Sequence, residues 1–394
     1  MAGALDREIW SDRELWAAYW LGMYDTVAHA EPKRLGWRGT WARAVSLAAC
    51  GEAEAAREAA ATLARRRRWA RHLTAFADDL APFMPRLALR LIEERPGLPA
   101  ALHAALLLRN GRAAEARIVL GRSPRAGGPV ESPELCLLRT NAWGGSPAEQ
   151  LNRLNAFLAA HGLSPVRLVD AAQPPSPGNV IAIEPLSSVD GPLVTVLMTT
   201  FGTGARAVAA IASLRAQSYR NLELIVVDDA SADGTAARVD AVAVNDPRIR
   251  TLRLTHNVGA YAAKLIGLTR ARGEFVTCHD SDDWSHPEKI ARQVAPLLAN
   301  RRLICTTSSW VRMQDDGLYY ARPMHPLMRL NPSSPLFRRE RVLQEAGAWD
   351  CVRTGADSEF LARLRVVFGP RAIKKIGQPL TLGGHRPDSL RATE

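Results

Sequence analysis

Hydrophobic spacing divides the chain into two stretches that follow different rules. Up to about residue 165, apolar residues recur three and four positions apart. The clearest runs are ELWAAYWLGMY (14–24), WARAVSLAACGEAEAAREAAATLARR (41–66), MPRLALRLIEERPG (84–97) and AALHAALLLRNGRAAEARIVLGR (100–122). That spacing predicts amphipathic helices. After residue 192 the runs are short and β-branched: LVTVLMTT (193–200), LELIVVDD (222–229), IRTLRL (249–254), EFVTCHD (274–280) and RLICTTSS (302–309). Helical stretches at 205–218, 233–244 and 260–273 separate the first four. Alternation of this kind predicts right-handed crossovers and a mostly parallel α/β sheet with flanking helices. The expected organisation is an all-α domain over 1–165, a Pro-, Ser- and Gly-rich linker over 166–191, and an α/β domain over 192–394.

Within the helical part, 44–63 and 104–120 share a layout of apolar helix, Gly-containing turn and Ala-rich helix. It resembles degenerate tetratricopeptide-type hairpins, whose faces are buried by stacking neighbours. Such an array docks a partner or an acceptor and carries no catalytic pattern. Seven of the ten tryptophans lie here, and Trp10, Trp16 and Trp20 read as core anchors.

Ligands of parallel sheets bind outside the carboxyl ends of the strands, so the residues at those ends matter most. The first strand runs into TTFGTG (199–204), the second into DDASADGT (228–235), and the fourth into DSDD (280–283). Gly202 and Gly204 would let backbone amides approach a ligand. A dinucleotide fingerprint would need a third glycine, and GTGARA lacks it. Clustered carboxylates at the fourth strand end would repel a bare pyrophosphate, but they suit Mg2+ or Mn2+ held against a diphosphate. The competing reading makes Asp228, Asp229 and the DSDD cluster helix caps.

Charge and cysteine content narrow the setting. The net charge of +11 comes overwhelmingly from arginine, without a nucleic-acid-binding module. The dense run RRRR (65–68), followed by Trp69 and Arg71, reads as a solvated helix end or a contact for anionic lipid or an acidic polymer. Five scattered cysteines fit free thiols in a reducing compartment. MAGALDREIW lacks the apolar core of a secretory signal, and no run reaches the ~20 apolar residues of a membrane span. The expected location is cytoplasmic, with peripheral contact to the inner face of the membrane as an option.

PLVTVLMTTF, LELIVVDDASADGT, HNVGAYAAKLIGLTRARGEFVTCHDSDDWSHPEKI and GADSEFLARL together resemble the family 2 glycosyltransferases of GT-A fold, over about 190–390. The resemblance implies an inverting, metal-dependent transfer of a sugar from a nucleotide diphosphate, UDP before others. The acceptor would be a hydroxyl of a saccharide, glycolipid or protein in bacterial surface polysaccharide or glycoconjugate synthesis. Carried over by position, Asp282 of Asp280-Ser281-Asp282 would ligate Mg2+ or Mn2+, and Asp280 would face the ribose or the metal. Thr200 and Phe201 stand at the family's Thr-Tyr pair beside the base. Asp228 and Asp229 would read the uracil and ribose, Asp229 taking the base contact, and Lys264 would reach the donor. In GADSEF, Asp357 takes the place of the catalytic base, Ala356 replaces the usual Glu, and Glu359 is the alternative base. His385 would complete the metal shell, Arg386 would pair with phosphate, and Trp349 either stacks on a sugar or belongs to the core. A helical adaptor with an inactive transferase domain is the rival reading, because Phe201, Leu265 and Ala356 depart from the family pattern. A nucleotidyltransferase is the third, although TTFGTGARAV makes a poor version of its glycine-rich basic loop.

Overall fold

The structure, a computed structural model, describes residues 9–32, 35–65, 72–93, 99–122, 132–183, 186–322, 325–353 and 355–386. Beyond Arg65, the basic run and its companions Trp69 and Arg71 lie outside the described residues. The chain separates into two compact units, 1–143 with 321–326, and 144–320 with 327–394. The division therefore falls earlier than residue 165, and residues 166–191 belong to the second unit.

The first unit is a helical bundle. Its helices are α1 (Asp12–Trp20), α2 (Tyr24–His29), α3 (Trp37–Ala49), α4 (Ala53–Ala64), α5 (Leu73–Leu80), α6 (Pro85–Glu93), α7 (Ala100–Arg109), α8 (Ala113–Arg122) and α9 (Glu134–Trp143). A short parallel pair, β1 (Ile9–Trp10) and β2 (Glu31–Pro32), lies beside them. The periodic runs at 41–66 and 100–122 each break into a hairpin. Gly51 (φ 84°) and Gly111 (φ 74°) turn the chain through a conformation that costs other residues more. Trp41 is buried and meets Trp16 edge-on at 5.6 Å, whereas Trp20 is 67% exposed and does not anchor the core.

The second unit opens with α10 (Pro147–Ala160) and the antiparallel hairpin of β3 (Val166–Leu168) and β4 (Val180–Ala182). The expected linker is thus partly structured. Asn179 explains why: its side-chain amide donates to three backbone carbonyls, those of Asp170, Gln173 and Pro174. The alternating segment follows as β5 (Val194–Thr200), α11 (Ala205–Arg215), β6 (Leu222–Asp228), α12 (Thr235–Ala243), β7 (Ile249–Arg253), α13 (Ala260–Leu268) and β8 (Phe275–Cys278). Then come β9 (Trp284–Ser285), α14 (Lys289–Ala299), β10 (Cys305–Met313), β11 (Tyr319–Tyr320), β12 (Arg329–Leu330), β13 (Leu336–Arg338), α15 (Arg339–Glu345), α16 (Ala356–Phe368) and β14 (Ile373–Gly384).

These strands form one mixed sheet in the order β7-β6-β5-β8-β13-β10-β14-β9. The first four are parallel, and β13 runs against both β8 and β10. The GT-A-like sheet with flanking helices is present, but it is mixed where a mostly parallel one was expected, because β13, β9, β11 and β12 all pair antiparallel. Both faces are covered, so the strands are apolar almost continuously. Val194, Val196 and Met198 pack with Ile211, Leu214 and Val294 on one side. On the other, Leu197 packs with Ile225, Tyr261 and Phe360. Thr200 is in register with Asp228, and Leu197 with Cys278. The ends of the three central strands thereby meet at one rim.

Candidate active site

Strand β5 lies between β6 and β8, so Asp228 and Asp280 flank the end of the strand that closes with Thr200. Asp228 is buried. Its Oδ2 accepts from the Ser231 amide at 3.1 Å, and its Oδ1 has no hydrogen-bond partner. Asp229 is fully engaged, accepting from the Val258 and Gly259 amides at 2.8 and 2.9 Å. These amides open α13, so Asp229 satisfies orphan donors of a helix start. Of the two carboxylates, Asp228 keeps an oxygen for a ligand, although sequence position favours Asp229 for the base contact. The loop after β5 also differs from expectation: the Gly202 amide donates to Ser231 Oγ and the Gly204 amide to Thr235 Oγ1, so neither is open to a ligand. Thr200 is buried, its hydroxyl 2.6 Å from that of Thr203, and the ring of Phe201 stands 58% exposed at the rim.

The DSDD turn is held from three directions. Asp280 Oδ2 accepts from Ser333 Oγ at 2.8 Å. Asp282 accepts from Arg386 at 3.1 Å, and Asp283 Oδ1 from the Gly384 amide at 2.9 Å. Burial, and then the neighbouring Asp280, push the Asp282 carboxyl above its ordinary range while Arg386 pulls it down. Asp283 is pushed well above that range by burial and by Asp282 and Asp280, and its Oδ2 has no partner. Lys289, fully buried, supplies positive charge here. Burial lowers its ammonium to about 8, although Asp283 and Asp280 act against this. The flanking histidines are structural: His279 Nε2 is 3.2 Å from the Asp283 carbonyl, and His286 Nε2 is 3.1 Å from that of Ser164. Burial, and then Lys289, press His279 down to about 3.

Asp357, near the start of α16, is buried against Lys264 of α13 at 3.2 and 3.3 Å. Tyr261 Oη is 3.3 Å away and Ser333 Oγ 3.4 Å. Ser333 therefore stands between Asp280 and Asp357. Burial would push the Lys264 ammonium down, yet Cys278, Asp357 and Asp280 around it hold it above its ordinary range. Its partner is the expected base rather than open space for a donor. Glu359 is exposed and ion-paired to Arg363 at 2.5 Å on its own helix, which removes it from the rim. Trp349 is core, packed on Phe360 at 4.9 Å.

Strand β14 delivers the remaining candidates. His385 stacks on Tyr320 with ring centroids 3.6 Å apart, and its Nδ1 has no partner. Burial, and then Arg312, lower its pKa, which leaves a neutral imidazole. Among the described residues, no three His, Cys, Asp or Glu side chains are grouped closely enough to hold an ion alone. Sequence reasoning missed Ser333, Tyr261 and Lys289. Lysine is scarce in this arginine-rich chain, five residues in all, and that scarcity marks Lys264 and Lys289.

Residues 195–356 match the model of glycosyl transferase family 2. This stretch resembles a family 2 glycosyltransferase domain. The match reaches from β5 to the residue before Asp357. Among curated proteins, the chain is 38% identical over 157 residues to the succinoglycan biosynthesis protein ExoO of Rhizobium meliloti, covering 38% of this chain and 44% of that protein. It is 34% identical over 112 residues to the UDP-Glc:alpha-D-GlcNAc-diphosphoundecaprenol beta-1,3-glucosyltransferase WfgD of Escherichia coli, covering 28% and 44%. The chain spans about half or less of the length of these relatives. Staphylococcus aureus TarS 1-349, solved in complex with UDP-GlcNAc, superposes with a TM-score of 0.41 at 16% identity, over 51% of this chain and 61% of that one.

Proposed function

We propose that the family 2 domain transfers a sugar from a nucleoside diphosphate, UDP before others, to an acceptor hydroxyl with inversion. One observation carries the reading. Ser333 touches Asp280 of the acidic turn and Asp357 at the head of α16, so the expected donor carboxylates and the expected base share one centre. Asp228 Oδ1, buried and unpartnered, would accept from the base or ribose. Phe201 would cover the base.

The donor set fits a hard divalent cation. Asp280 opposes the ionisation of Asp282, and Asp283 retains a buried oxygen without a partner. Asp282 would hold Mg2+ or Mn2+, His385 offers a neutral nitrogen, and diphosphate oxygens and water would complete the shell. When bound, the cation neutralises the departing diphosphate. The chain's own part is proton transfer and orientation. Asp357 accepts the proton of the acceptor hydroxyl as that oxygen attacks the anomeric carbon, and the bond to the diphosphate oxygen breaks on the opposite face. Lys264 and Tyr261 fix the carboxylate, and Ser333, which donates to Asp280, lies in contact with it. ExoO and WfgD, by their names, serve polysaccharide and lipid-linked glycan synthesis. A saccharide or glycolipid acceptor at a bacterial surface polysaccharide pathway is the matching proposal. The helical unit is assigned to docking a partner or the acceptor.

The test is calorimetric titration of UDP with and without Mn2+ on the wild type and on Asp282→Ala. Binding that requires Mn2+ and is lost in the variant supports a working donor site. Silence toward UDP, GDP and other nucleotides under both conditions rejects it in favour of an inactive adaptor domain.

A further inference from the structure

On the rim of the sheet away from the acidic turn lies a cavity of about 460 Å3 that the proposed reaction does not use. It opens where α14 ends and where β10 and β14 begin. Both strands run parallel to β8, because β13 opposes β8 and β10 alike. The cavity therefore sits at the amino-terminal ends of these strands, while Asp280 follows the carboxyl end of β8.

Pro296, Leu303 and Ile373 give the cavity an apolar floor, and Arg371, Lys374 and Lys375 give it three cations. Arg301 and Arg302, exposed in the turn between α14 and β10, add two more at its edge. Among the described residues none of these five is in an ion pair. Lysine is also unusual here. All but five of the 51 lysine and arginine residues are arginine, and two of those five lysines stand side by side in this wall.

Clustered like charges repel, and a concave surface lined by one sign of charge concentrates ligands of the other. A planar guanidinium fork beside two compact ammonium groups suits a multiply charged oxygen anion, and the apolar floor suits the body that carries it. The volume falls in the range of small-ligand sites. We propose that this cavity binds a phosphate-bearing ligand, either a soluble phosphorylated compound or a phospholipid headgroup, at a site separate from the donor site. The proposal does not rest on the glycosyltransferase reading.

The experiment compares the full chain with the Arg371→Gln, Lys374→Gln, Lys375→Gln triple variant and with Asp228→Ala/Asp282→Ala. Each is titrated calorimetrically with inorganic pyrophosphate, sedimented with vesicles of phosphatidylglycerol or of phosphatidylcholine, and titrated separately with UDP and Mn2+. The expected result is that pyrophosphate or phosphatidylglycerol binding weakens about tenfold or more in the triple variant. The UDP titration of that variant should match wild type, and the donor-site variant should keep the anion. Pyrophosphate binding alone identifies a soluble ligand, and binding to phosphatidylglycerol vesicles alone a headgroup. The proposal fails if neither probe binds, if the triple variant binds as wild type does, or if only the donor-site variant loses binding. A silent UDP titration would leave this comparison intact while sinking the donor reading.

Discussion

The ammonium of Lys264 lies 3.2 and 3.3 Å from the two carboxylate oxygens of Asp357, and both side chains are buried. Removing one partner of such a pair strands the other charge in a low-dielectric site, which costs about 3–5 kcal/mol. Lys264→Met should lose stability on that scale, and adding Asp357→Leu to it should restore most of the loss. Urea unfolding of the three proteins checks this. A Lys264→Met variant as stable as wild type would mean that the two groups are not paired in solution.

Asp228 and Asp229 are adjacent and should behave oppositely. Asp229→Ala strips the acceptor from two backbone amides at the start of α13, so it should destabilise the fold by about 2–4 kcal/mol. Asp228→Ala frees one amide, that of Ser231, so it should cost less stability than Asp229→Ala, and it should weaken UDP binding by about 1.5–3 kcal/mol, roughly 10- to 150-fold. Thermal unfolding and calorimetry on both variants decide the matter. If Asp229→Ala alone impaired UDP without loss of stability, the assignment would have to be exchanged.

Gly384 approaches the acidic turn closely: a Cβ there would sit 2.8 Å from the Asp282 carbonyl oxygen. Gly384→Ala must displace the turn, and Mn2+-dependent UDP binding should fall about tenfold or more. On the same strand, Gly377→Ala meets open space and serves as the control. Equal UDP affinity in the two variants would refute a coupling between β14 and the turn.

Asp246 gives the acid limb of stability. Hydrogen bonds from Arg248, then its charge and a hydrogen bond from Arg215, hold this carboxyl well below the usual range against the opposing effect of burial. A depressed folded-state pKa contributes stability that is complete above the unfolded value of about 3.9 and is lost as pH falls below it. The gap in urea midpoint between wild type and Asp246→Asn should be widest at neutral pH and shrink below about pH 4. A gap that does not change with pH would contradict the pairing.

Much of the parallel half of the sheet was legible, because strands buried on both faces and helices buried on one leave different periodicities. Strand β14 was not, since IKKIGQPLTLGG mixes charge, Pro and Gly in a way that hides a strand. The candidate carboxylates were legible as types at strand ends, but their partners were not. Which of Asp228 and Asp229 is satisfied depends on the loop at 257–259 reaching back across the sheet edge. Likewise Ser333 carries no local signal, and its meaning comes only from Asp280 and Asp357 converging on it.

The restraints on the acidic turn arrive late in the chain. Gly384, whose amide holds Asp283, lies 101 positions after it, and Arg386 follows. Asp280 is held separately, by Ser333, 53 positions after it. Asp282 and Asp283 therefore owe their restraint to the end of β14 and the residues after it. The acidic turn is thus completed only by contacts from the far end of the sequence.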